Sequence, residues 1–211
     1  MDLPGFGQSK LLPSGFSIAD VATKALSLLE AFKIEECISI GHSLGGYVTL
    51  AMADQRPDIL KAFGLFHSTA YPDAEERKIS RNKVIEFVSN HGVAPFIESF
   101  IPPLFYDQTN QHIQSIVRLA SQTKQETLIA YVKAMRDRPD RTNVLKHFKR
   151  PILFIAGEKD MGIPSESLKK QANMASDVTL NLLSEVAHMG MFEAEETTLY
   201  QVKEFLTNAF V

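Results

Sequence analysis

The sequence predicts an α/β protein in which a mostly parallel sheet is interrupted by a helical insertion. Three observations carry this. Short apolar runs at 36–40, 62–66, 152–156 and 178–183 read as buried strands, and segments of helical periodicity separate them. Strands that alternate with helices pair in parallel and are covered on both faces. Between the second and third runs, residues 68–150 carry apolar side chains at helical spacing only.

Taken in order, residues 2–9 hold Pro4, Gly5 and Gly7 and read as a tight loop. A further loop runs to Phe16. Ser17 then caps a helix, with Asp20 three residues on as a near capping box. Ile18, Val21, Ala22, Ala25, Leu28, Leu29 and Phe32 supply its apolar stripe. The first strand follows, then a sharp turn and a helix that Pro57 stops. The second run ends at His67-Ser68. From Tyr71 to about Arg150, the breakers Gly92, Pro95 and Pro102-Pro103 divide the periodic stretches into several short helices. After Pro151 come a buried strand, a turn through Gly157, Asp160 and Pro164, and a helix from Ser165. A last strand, a loop with His188 and a helix from Phe192 to about Ala209 complete the chain.

Bulk properties exclude several classes. Charged residues make up 22% of the 211, the net charge is −3, and no basic stripe suits nucleic acid. No apolar run approaches the roughly 20 residues of a membrane span, and the first residues lack a signal peptide's pattern. The single cysteine, Cys37, excludes an internal disulfide and reads as a buried strand residue. No zinc-like Cys/His spacing appears, and neither a metal nor a cofactor is expected. The expected location is cytoplasmic.

The first strand ends in Gly41-His42-Ser43-Leu44-Gly45. A strand that turns sharply into a helix lifts the apical serine hydroxyl clear of the backbone. The positions two before and two after it, Gly41 and Gly45, are then expected to be nearly side-chain-free. The Leu44 N–H, at the start of the new helix, can face an oxygen that gains negative charge. A serine nucleophile needs a base, and the base needs a partner that fixes its tautomer. In a parallel sheet such groups sit on loops at the carboxyl ends of strands. Asp160 follows the third run and His188 the fourth. Glu158 is the rival acid. His67, which ends the second run, could approach the site. His42 is expected to point away from the serine, and His91, His112 and His147 read as surface or cap residues.

Ser43, Asp160 and His188, in that chain order and each after a strand, resemble the α/β-hydrolase superfamily. The resemblance covers essentially the whole chain. Residues 2–9 look like the loop after the family's fourth strand, 41–46 its nucleophile elbow, 157–160 its acid loop, and Ala187-His188 with Glu193 its histidine loop. It implies a core of 1–67 and 151–211 with a helical cap at 68–150. It also implies that earlier strands, and a loop donating a second oxyanion N–H, are missing here, as in an N-terminally incomplete copy.

The expected activity is that of a serine hydrolase acting on a small carboxylic ester or lactone, in the manner of small esterases and enol-lactone hydrolases. Phe96, Phe100, Leu104 and Phe105 are candidates for an apolar substrate pocket, with ordinary cap core as the competing reading. Carbon–carbon bond hydrolysis on the same triad is the alternative within enzymes. A non-catalytic ligand-binding relative, or an inert fragment, is the alternative outside them.

Overall fold

The computed structural model describes residues 2–209. Four strands, β1 (Cys37–His42), β2 (Leu60–Phe66), β3 (Ile152–Gly157) and β4 (Val178–Leu183), lie in the spatial order β1-β2-β3-β4. Every pair is parallel, with Ile40 opposite Gly64, Phe66 opposite Ile155, and Gly157 opposite Leu183. The carboxyl ends of all four strands therefore meet along one rim. The order in space equals the order in sequence, so each residue that follows a strand stands beside the residue that follows the next.

Burial on both faces is written into β3. Ile152, Phe154 and Ala156 join a cluster with Ile18, Val21, Ala22 and Ala25 of α1 (Ile18–Ala31) and Val48, Leu50 and Ala51 of α2 (Leu44–Gln55). Leu153 and Ile155 face the other way, into a cluster with Ala62, Phe66 and Phe205 of α10 (Glu195–Ala209). This period-two division of an unbroken apolar run is what a two-sided sheet requires. The Ser17 side chain accepts from the Asp20 N–H, and Asp20 accepts in return from the Ser17 N–H, a full capping box. The expected stripe of α1 is shorter than its sequence suggests. Leu28 is exposed, and Phe32 lies past the last helical residue, 70% exposed.

Five α-helices lie between β2 and β3: α3 (Glu75–His91), α4 (Val93–Phe100), α5 (Ile113–Ala120), α6 (Gln125–Arg136) and α7 (Thr142–His147). Gly92, at φ +83°, makes the joint between α3 and α4, a conformation that favours glycine. Val88, Val93, Ile97, Ile101, Phe105 and Ile113 form a cluster of their own with Met189. Tyr131 and Ala134 of α6, with Val144 and Leu145 of α7, belong instead to the main core. Tyr131 also ties down the first loop. Its hydroxyl donates to the Pro4 carbonyl at 2.9 Å, and its ring packs against Phe6 and Phe16 at centroid distances of 5.0 and 5.1 Å. After β3 come α8 (Ser165–Ala172), β4 and the short α9 (Gly190–Glu193) before α10. β1 is an end strand of the sheet, and Cys37, Ile38, Ser39 and Ile40 are half-buried.

Candidate active site

At the end of β1 the chain turns through Ser43, which holds φ +49° and ψ −112°. A non-glycine residue in that region costs about 1–3 kcal/mol and persists only where its surroundings impose it. Here the Ser43 N–H donates to the Phe66 carbonyl at 2.9 Å. The Ser43 carbonyl accepts from the Gly46 N–H at 3.0 Å and from the Ser68 hydroxyl at 2.8 Å. The exit of β2 thus holds the elbow from below. The Ser43 side chain is half-exposed, caps no helical N–H, and makes no hydrogen bond among the described residues. Leu44 is the first residue of α2, where the helix leaves the N–H unpaired.

The two elbow glycines are not equivalent. A Cβ on Gly41 would run into the carbonyl group of Gly45, so that position must be bare. Gly45 itself faces open space, against the expectation that both must lack side chains. The second crowded position is Gly46, where a Cβ would strike the Ser68 side chain. The turn packs inward on β2, and Gly45 lies on its outer side.

Asp160 is 5% exposed and follows β3. Its Oδ1 accepts from the N–H groups of Gly162 and Ile163 at 2.8 and 3.0 Å, and its Oδ2 lies 2.7 Å from His188 Nδ1. Burial raises the carboxyl pKa, but the bonds from His188, His67 and Gly162 outweigh it. The group is held well below the usual carboxylate range, as an anion. Glu158, the rival, is exposed and stands outside this arrangement.

Two histidines sit closer than the sequence suggests. The His42 ring turns toward the histidine loop. Its Nε2–H donates to the His188 carbonyl at 2.9 Å, and the two rings lie 5.0 Å apart. Burial first, then repulsion from His188, pushes its pKa down to about 3. A neutral ring committed to a carbonyl is a packing partner for His188 and not a competing base. His67 is fully buried at φ +47°, with Nδ1 3.3 Å from Asp160 Oδ2.

The Alpha/beta hydrolase family model matches residues 1–198. The chain belongs to the alpha/beta hydrolase family. Among curated relatives, a 2-succinyl-6-hydroxy-2,4-cyclohexadiene-1-carboxylate synthase of Salmonella newport is 30% identical over 169 residues, covering 76% of this chain and 66% of the relative. Among solved structures, a thermophilic esterase from Thermogutta terrifontis superposes with a TM-score of 0.92 at 27% identity, covering 100% of this chain and 79% of the other. An enol-lactonase from Burkholderia xenovorans LB400 shares the fold, with a TM-score of 0.88 at 20% identity over 98% of this chain and 79% of that one.

Within this hydrolase, Glu193 does more than its place in the histidine loop suggests. One carboxylate oxygen accepts from the N–H groups of Ala187 and Met189 at 3.0 and 3.3 Å, and the other accepts from that of Tyr106 at 2.6 Å. The His188 N–H donates to the Leu104 carbonyl at 2.9 Å, so the helical segment between β2 and β3 braces the same loop. Of the candidate pocket residues, Phe105 is buried, Phe96 and Leu104 pack against its cluster, and Phe100 is 46% exposed. Phe96 stacks on Phe100 at 5.0 Å, and Phe105 lies 6.3 Å from Phe192. His67, Asp160 and His188 bring potential metal-ligating atoms within 4.8 Å of one another. The hydrogen bonds from both rings to Asp160 account for that spacing.

Sequence reasoning brought His67 toward the site only as a rival base, and assigned no role to Ser68 or Gly46. The available signal was positional. All three pack where the exit of β2 meets the elbow, and a parallel neighbour of β1 must deliver residues there.

Proposed function

We propose that this hydrolase cleaves a small carboxylic ester or lactone through an acyl-enzyme on Ser43. The observation that supports it best is the 2.7 Å contact between Asp160 Oδ2 and His188 Nδ1. It commits the Nδ1 proton to the carboxylate and leaves Nε2 as a lone-pair base. In this reading Ser43 attacks the carbonyl carbon while His188 Nε2 takes its proton. The carbonyl oxygen becomes an oxyanion supported by the Leu44 N–H. Collapse expels the alkoxide, which His188 protonates, and water then repeats the sequence on the acyl-enzyme. Asp160 stabilises the imidazolium throughout without accepting its proton. The Ser43 hydroxyl makes no hydrogen bond to His188 among the described residues, so this reading requires the two groups to meet when substrate binds.

The second reading is carbon–carbon bond hydrolysis on the same triad; a relative named as a synthase and not an esterase keeps it in view. Purified protein assayed with p-nitrophenyl butyrate, a δ-lactone and a vinylogous 1,5-diketone separates the two. Turnover of the first two compounds, with covalent labelling of Ser43 by a fluorophosphonate, supports the ester reading. Turnover of the diketone alone replaces it.

A further inference from the structure

His67 is a buried histidine at the rim that the proposed mechanism leaves unused. It is the residue after β2, so the sheet order stations it between the elbow and the acid loop. Three polar groups surround its ring. Asp160 Oδ2 lies 3.3 Å from Nδ1, the Gly157 N–H also lies 3.3 Å from Nδ1, and the Gly190 N–H lies 3.2 Å from Nε2. A proton on Nε2 would turn the lone pair of Nδ1 toward an anionic carboxylate and set two N–H groups against each other at Gly190. A doubly protonated ring would oppose both glycine N–H groups. A proton on Nδ1 satisfies Asp160 and Gly190 together and leaves only the Gly157 contact unfavourable. Burial, the largest influence, lowers the ring's pKa and keeps it neutral.

We propose that His67 is a positioning residue: its Nδ1–H shares Asp160 Oδ2 with His188, while its Nε2 accepts from the backbone two residues beyond His188. One ring then ties the acid loop to the histidine loop. Gly190 fits this bracket because a Cβ there would approach His67 Nε2 to 2.6 Å. The titratable groups facing the ring are His42 from β1, Asp160 after β3, and His188 and Glu193 after β4. Sharing the oxygen divides the carboxylate's charge between two donors. His67 therefore fixes the direction of Asp160 and moderates its pull on the His188 imidazolium. The catalytic part of this inference rests on the Ser43–His188–Asp160 reading.

Two variants separate the two hydrogen bonds. His67→Asn places an amide N–H where Nδ1 stands, and asparagine tolerates positive φ. His67→Gln places an oxygen where Nε2 stands and removes the donor to Asp160. In His67→Gln we expect kcat to fall on the order of 10-fold with KM nearly unchanged. The acid limb of the kcat/KM profile moves to higher pH, because Asp160 now serves His188 alone. His67→Asn keeps the wild-type pH profile. Equal losses in both variants with an unmoved acid limb overturn the inference and leave His67 a packing residue. The tautomer is also read in the wild-type protein without substrate, by NMR of 15N-labelled histidines. A proton on Nδ1 of His67 supports the proposal, and a proton on Nε2 overturns it with the serine reading intact. Hydrolysis retained by Ser43→Ala overturns the serine reading and the catalytic half of this inference, whatever the NMR shows.

Discussion

The Ser68 hydroxyl donates to the Ser43 carbonyl at 2.8 Å, in the space that a side chain on Gly46 would need. The turn at Ser43 is therefore held by the exit of the neighbouring strand as well as by its own glycines. Gly46→Ala should push Ser68 away, loosen the Ser43 turn, and lower kcat at least 10-fold. Gly45→Ala, into open space, should lower it by less than twofold. Steady-state kinetics of the pair decide the matter, and equal sensitivity at both positions would refute the packing argument.

Ser43→Ala should lose turnover on the order of 10⁶-fold while its thermal midpoint stays within a few degrees of wild type, since a half-exposed hydroxyl without a partner adds little to stability. Asp160→Asn should lose on the order of 10⁴-fold, because the amide cannot hold the His188 tautomer. It should also lower the melting temperature, because four hydrogen bonds converge on that carboxylate. A variant order with Asp160→Asn the less active of the two contradicts the assigned roles.

Stability should decline on mild acidification. His42 is held near pKa 3 in the folded chain, against an ordinary value of about 6.5. Between those limits the unfolded chain binds a proton that the folded chain refuses, so folding free energy falls as pH drops from about 6.5 toward 3. Buried His67 acts in the same direction. Urea denaturation at pH 7.5, 6 and 5 tests this, and His42→Gln should flatten the trend. A stability that rises on going from pH 7.5 to 5 excludes it.

Tyr131→Phe should free the first loop. The substitution keeps the ring between Phe6 and Phe16 but strands the Pro4 carbonyl, a loss of about 1–3 kcal/mol. Limited proteolysis should then cut within residues 2–9 more rapidly than in wild type, with the denaturation midpoint lowered. An unchanged cleavage rate would show that the aromatic packing alone holds the loop.

Among the described residues β1 ends the sheet, and no strand pairs with its outer edge, beside half-buried Ile38 and Ile40. Such an edge recruits other strands. The protein should self-associate as concentration rises, and thioflavin or infrared signals should report added β structure. Static light scattering that shows a monomer across a 100-fold concentration range would show that this edge is protected.

Much of this architecture is local and therefore legible in the residues. The run at 152–156 is apolar on both pleat faces, which only a covered strand needs, and it became β3 between two clusters. Ser17 and Asp20 make their capping box within a single turn. Gly41, Ser43 and the helix after them set the elbow from adjacent positions, because strain in a tight turn depends on its own few residues. Asp160 and His188 were legible as residues that follow strands.

What the tertiary structure decided is adjacency across strands. Chain order places His67 far from both Asp160 and His188, and a histidine after a strand carries no mark of its partner. Sheet order β1-β2-β3-β4 puts it between the elbow and the acid loop, beside Asp160. The same cause left Gly45 open and crowded Gly46 instead, since which glycine is crowded depends on where Ser68 of the next strand's exit lies. It also turned His42 toward the His188 carbonyl, a bond between residues 146 positions apart. Sequence periodicity reports which face of an element is buried. The identity of the atom pressed against that face is set by packing between segments far apart in the chain, and only the folded sheet brings those segments together.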